Sequence, residues 1–230
     1  MTYDMNDAEP QKTGDLIPDG SFAKITMIIR PGGADGQGEV DRGLLRASNS
    51  PGSDVLMLDA EFTVVEGSHA RRKFWQMFTV SGGKVDENGV SIGWKISKST
   101  FRAMIDSALG LSPDDMSDEA KAKRVLRGLA DLGGITFVAK IKIEPSNDPR
   151  YGDRNRLERV VLPNEAEWRK VMDGETVPAA PSTRARPAQK AQSPASAAPS
   201  WSAGTAPTPS ATAPAQAQQQ PVQGPAWLNP

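Results

Sequence analysis

Two alternating runs, residues 55–64 and 71–80, face each other across a short polar turn. In the first, Leu56, Leu58, Ala60, Phe62 and Val64 form one apolar row, while Asp59, Glu61 and Thr63 point the other way. A period of two marks a half-buried strand. In the second, Phe74, Phe78 and Val80 share a face that Gln76 interrupts, and Arg71, Lys73, Trp75 and Met77 occupy the opposite face. Glu66, Gly67, Ser68 and His69 between the runs predict a hairpin. Upstream, Ala23, Ile25, Met27 and Ile29 alternate with Lys24, Thr26, Ile28 and Arg30 and predict a first strand. Beyond the hairpin, Ser97 or Ser99 caps a helix reaching about Leu109, with Phe101, Met104, Ile105 and Ala108 on one side and Gly110 as its stop. A second helix is predicted over 117–132, with Val125, Leu126, Leu129 and Leu132 as its stripe. Ile135, Phe137, Ala139, Ile141 and Ile143 then alternate with Thr136, Val138, Lys140 and Lys142 in a fourth strand. Residues 154–162 form a fifth. Pro163-Asn164 opens a short last helix whose Trp168, Val171 and Met172 are spaced to dock on the sheet.

Three strands, helical segments, two strands and a closing helix predict a mostly β (α+β) domain. That order is the plan of the five-stranded OB barrel, with helices between strands three and four; small α+β sheets of other topology give a similar string. An OB barrel binds ligands across strands two and three and two flanking loops. The corresponding loops here are the Gly-rich 31–54, in which Leu44, Leu45 and Arg46 form a short extra strand, and 145–153. A loop as long as 31–54 is uncommon inside a compact domain and often functional.

Composition divides the 230 residues. From Val177 to Pro230 there are 11 of the 19 prolines, 15 alanines and no acid, too little apolar content to offset the entropy of ordering. The expected organisation is a flexible N-terminus over 1–16, a folded domain over 17–176 and a disordered tail over 177–230. The net charge of −1 conceals +3 in that tail, from Arg184, Arg186 and Lys190, and hence −4 elsewhere. An acidic domain is not coated in nucleic acid by charge alone, but a local basic groove still acts within about 10 Å. The absence of cysteine excludes disulfides and thiolate zinc sites. The start is acidic and polar, unlike a signal peptide, and no apolar run approaches the ~20 residues of a membrane span. These features predict a soluble, cytoplasmic protein with no membrane partner.

Arg71, Lys73 and Trp75, with Arg72 beside them in the chain, put cations next to a large aromatic on an exposed strand face. Lysine and arginine release counterions from phosphates, and an exposed indole stacks a base. An ordinary solvated strand with Trp75 under a helix would give the same pattern. A second patch comprises Arg150, Tyr151, Arg154, Arg156 and Arg159, with pairing to Asp148, Asp153 and Glu158 as the competing reading. Lys140 and Lys142, on the outward face of the fourth strand, give possible support. Trp94 reads as core packing, and Lys121, Lys123, Arg124 and Arg127 as a solvated helix face. Catalysis finds little support: His69 is the only histidine, which excludes a multi-histidine metal site and a histidine-based triad elsewhere. No enzyme activity, cofactor or metal is expected.

The chain also resembles a family of small bacteriophage and prophage proteins regarded as single-strand-DNA-binding-like. The likeness lies in residues 17–25 (IPDGSFAKI), in the 58–62 strand followed by Arg72, Lys73, Phe74 and Trp75, and in 139–144 (AKIKIE) with 151–161. It covers most of 17–170 and implies an accessory protein of phage replication or recombination in a bacterial host cell. Bacterial single-strand-binding proteins are similar in carrying a Pro/Gln-rich tail after a barrel. Their tail ends in an acidic apolar tip, whereas this one ends PAWLNP without an acid. The sequence thus predicts largely sequence-independent binding of single-stranded DNA, with the tail recruiting replication or recombination proteins and homo-oligomers possible. The alternative is a non-enzymatic adaptor in a phage replication complex.

Overall fold

Strands form where the period-two runs are longest. The computed structural model describes residues 16–180 except 147 and 149; the expected N-terminal segment before Leu16 and the tail from 181 onward lie outside the described residues. The elements are β1 (Ser21–Arg30), β2 (Arg46–Ala47), β3 (Leu56–Val64), β4 (Lys73–Ser81), α1 (Ile92–Leu109), α2 (Asp118–Lys123), β5 (Thr136–Glu144), β6 (Arg154–Val160) and α3 (Ala166–Met172). All strands join one antiparallel sheet in the order β4–β3–β1–β5–β6, with β2 pairing the start of β3. β4 and β6 are its two edges and run parallel to each other. No ladder joins them, so the sheet is unclosed. Side chains bridge the gap instead: Leu157 N–H donates to Gln76 Oε1 at 3.2 Å, and the Arg156 guanidinium donates to the Trp75 carbonyl. Gln76, the interruption in the apolar row of β4, is thus an edge-to-edge connector.

The inner face of the sheet and α1 enclose the main core. Ile25, Met27, Phe62, Phe74, Phe78, Phe101, Met104 and Phe137 are all buried, each contributing roughly 1.5–3 kcal/mol through burial. The Phe62 ring lies 5.0 Å from Phe74 and edge-on to Phe137 at 6.1 Å, separations at which aromatic pairs attract. A second cluster forms on the outer side, where α3 lays Trp168 and Val171 over Val138, Val161 and Phe22. Val177 packs there too, and Ala180 N–H donates to Gly20 O at 3.0 Å. The domain's contacts therefore run a few residues past 176.

Three expectations need correction. α1 begins one to two turns before Ser97, because Ser91 is the cap: its hydroxyl accepts from Trp94 N–H at 3.3 Å. Gly93 makes this start possible, since a Cβ there would stand 2.8 Å from the Thr79 side chain of β4. The stop at Gly110 is as expected, in the left-handed region that glycine tolerates. The second helix ends at Lys123, because Arg124 turns inward rather than outward. Its Nε donates to the buried Asp106 at 2.6 Å and its Nη2 to Ser112 O at 2.9 Å. Only the 3-10 turn Leu129–Leu132 follows, held by Asp41, whose Oδ1 accepts from Ala130 N–H at 2.9 Å. The hairpin turn, finally, spans 65–72 rather than 66–69. Arg71 N–H donates to Val64 O at 2.8 Å, which places Arg71 in the turn at φ 67° and outside the strand alternation.

Candidate nucleic-acid interface

Cross-strand register builds the outer face of β1, β3 and β4 as successive rows. Residues directly opposite in an antiparallel ladder present their side chains on the same face. One row is Arg30–Asp59–Met77, the next Ile28–Glu61–Trp75, and the next Thr26–Thr63–Lys73. The inward partners of this alternation, Phe74 and Phe78, are buried as the sequence predicts. Trp75 is 44%, Met77 40% and Ile28 50% exposed, so the face presents the indole beside Met77 on β4, with Ile28 beyond Glu61 on β1.

Across the gap lie the outward residues of β5 and β6. Lys142 pairs with Arg156 and Glu144 with Arg154. Met77, Lys142, Glu144 and Arg156 surround a shallow depression of about 270 Å³ at the seam between β4 and β6. The structure thus brings Lys73, Trp75, Lys142, Arg154 and Arg156 onto one side of the sheet, continuous through the bond from Arg156 to Trp75 O.

Acids are interleaved with these cations. Glu61 accepts from Lys73 Nζ at 2.6 Å and from the Trp75 indole N–H at 3.0 Å; hydrogen bonds from Lys73 and then Trp75 hold its carboxyl below the ordinary value of 4.5. Glu144 Oε2 lies 2.9 Å from Arg156 Nε and 3.3 Å from Arg154 Nε. Burial pushes this carboxyl up, but the hydrogen bond and charge of Arg156, with Lys142 and Arg154, outweigh it and lower the value. Lys142 carries no ion pair of its own among the described residues. The face is a mixed surface with a cationic surplus.

The other candidates are placed elsewhere. Lys140 is buried, not exposed, because a bulge between Lys140 and Ile141 shifts β6 and brings Glu158 within 3.2 Å of its ammonium, which also sits 5.9 Å over the Phe22 ring. Arg71 is exposed in the hairpin turn. Arg150 and Tyr151 stay on the 145–153 loop: Tyr151 is 67% exposed, and Arg150 is held by Asp148 at 2.7 Å while covering the tyrosine ring at 5.9 Å. Arg159, which closes the basic run of β6, pairs with Glu165 at 2.6 Å.

Sequence reasoning missed Arg30, Arg46 and Ile28 as members of this face. The outward alternation of β1 contained the signal for Arg30 and Ile28. Arg46 had none, since only the fold of the 31–54 loop brings β2 beside β3. A larger concavity, about 1210 Å³, lies between α1 and the 124–129 segment and includes none of these residues. Trp94 lines it, half-buried and 6.3 Å from Phe101, in keeping with the packing role expected for it.

Among the described residues, no cluster of histidine, cysteine, aspartate or glutamate could hold a metal ion, and no helix is long and apolar enough to cross a membrane. No known protein family, curated protein or solved structure matches the chain, so the resemblance to phage proteins gains no support from these comparisons.

Proposed function

We propose that this protein binds single-stranded DNA, largely without regard to sequence, and that its sheet is an OB-like barrel left open at the seam between β4 and β6. The strand order and the placement of α1 between the third and fourth long strands support that architecture. The carrying observation is the exposed indole of Trp75, beside Met77 on β4, with Lys73, Arg156 and Lys142 on the same side of the sheet. Stacking on such a platform is tolerant of base identity, and cations on both sides follow a backbone. The acids do not abolish this role. Phosphates can displace exposed carboxylates from lysine and arginine, so each such ion pair lowers the gain from a phosphate contact without removing it. A role in phage replication or recombination is part of the same proposal and rests on the resemblance alone.

Titration of the intrinsic fluorescence with poly-dT over a series of salt concentrations tests the reading. Quenching that weakens linearly in log affinity against log salt is expected. No binding at low salt would leave the adaptor reading, in which these exposed apolar residues dock a protein.

A further inference from the structure

Asp59 is 1% exposed, yet it lies on the outer face of the sheet, where two arginines converge on it. Arg30 Nη2 lies 2.7 Å and Arg46 Nη2 3.1 Å from the same oxygen, Oδ2. One guanidinium suffices to neutralise one carboxylate; the second leaves a fixed surplus of +1. Each arginine engages Asp59 through Nη2 alone. The Nε groups of both are buried without a partner, as is Asp59 Oδ1. These three atoms are closed to solvent, so no ligand reaches them, and they show that Asp59 satisfies the two forks only in part, at a cost on the order of 1–3 kcal/mol per donor. The outer parts of both side chains remain open to solvent, with side-chain exposures of 43% and 40%.

We propose that Arg30 and Arg46 form a binding site for a phosphate-type anion, held in shape by Asp59. Arginine forks match the oxygens of phosphate, and here the buried carboxylate fixes both forks before the ligand arrives. The charged groups around the site are Asp59 within it and Glu61 one row away, whose lowered carboxyl value includes a contribution from Arg30. The site lies in the row Arg30–Asp59–Met77, next to the row containing Trp75. Under the proposed function it takes a backbone phosphate next to the stacked base; the anion site itself does not depend on that reading.

Calorimetric titration with sodium pyrophosphate at low salt tests the site separately from nucleic acid. The parent should bind one pyrophosphate per chain. Arg30→Gln and Arg46→Gln should each weaken that binding at least tenfold, Arg46→Lys should weaken it while keeping the charge, and Lys121→Ala, on α2 away from the face, should leave it unchanged. Thermal melts of all four establish that they are folded; if Arg46→Gln releases the 31–54 loop and unfolds, Arg30→Gln alone decides. No pyrophosphate binding by the parent, or equal binding by the folded arginine variants, overturns the proposal and leaves the triad as an anchor for β2. In a parallel titration with oligothymidine, Arg30→Gln should lower the slope of log affinity against log salt by up to ~0.7. If the parent binds pyrophosphate but not oligothymidine, the anion site stands and the DNA reading falls.

Discussion

The outer side of the sheet is finished in two different ways. Over β1 and β5, α3 covers it: Val138 and Val161 are buried against Val171 and Trp168, whose indole N–H lies 3.0 Å from both the carbonyl and the hydroxyl oxygen of Ser107. Over β3 and β4 no element of the described residues covers it, and Ile28, Trp75 and Met77 are exposed. Two tryptophans on the outer side of one sheet, Trp75 in β4 and Trp168 in α3, thus sit in opposite circumstances. Trp168 gives both its ring and its N–H to the protein. Trp75 gives only its N–H, to a surface glutamate, and leaves its ring in water. An apolar surface that could have been covered, as its neighbour is, and is left open by the described residues is the kind of surface a ligand uses.

The comparison can be broken most sharply within β4. Phe74→Ala should cost about 3–5 kcal/mol of folding stability as a core truncation, whereas Trp75→Ala should cost under about 1 kcal/mol, as exposed positions do. Denaturant unfolding of both variants checks this, and equal losses would mean that the outer face is packed after all. Trp168→Ala comes next, at about 3 kcal/mol, because its half-buried ring closes the second cluster; a value near zero would remove the contrast between the two tryptophans. For binding, Trp75→Ala should weaken poly-dT affinity by ~1–3 kcal/mol, and Trp168→Ala, where it remains folded, should leave it unchanged. Lys142→Ala and Lys73→Ala should each reduce the salt slope by up to ~0.7.

The smallest expected effect belongs to Glu61. Its value is depressed in the folded state, so it adds stability that is fully present above its ordinary 4.5 and is lost as pH falls through the lower, folded value. Glu61→Gln should therefore destabilise slightly at neutral pH and not at all at strongly acid pH. At neutral pH the same variant frees Lys73 for phosphate, and the salt slope of poly-dT binding should rise. A fall would mean that Glu61 orients the ligand contacts rather than competing for them.

The strands and the inward or outward sense of each residue were legible because the alternation is dictated locally, by backbone geometry. The charge partners were not. A four-residue turn at 66–69 would have set Glu61 opposite Phe74; the longer turn, with Arg71 in the left-handed region, moves the register by one and sets Glu61 opposite Trp75. The fate of Lys140 depended on a bulge, and that of Arg124 on Asp106, 18 positions earlier in the chain. The start of α1 turned on several serines that are equally good caps on paper. Only the approach of Gly93 to Thr79 selects Ser91.

The seam between β4 and β6 has a kinetic consequence. The N–H and C=O of a strand residue point to the same edge, so the Trp75 carbonyl that meets Arg156 shows which amides of β4 face the gap: those of Lys73, Trp75 and Met77. Without a ladder partner on that side, these amides should exchange with deuterium far sooner than those of β1, which is paired along both edges. The slowest and fastest protons of the sheet would then lie only two strands apart. A ligand seated over the seam would slow the fast set alone, so a record of amide exchange would locate it without any change in the fold.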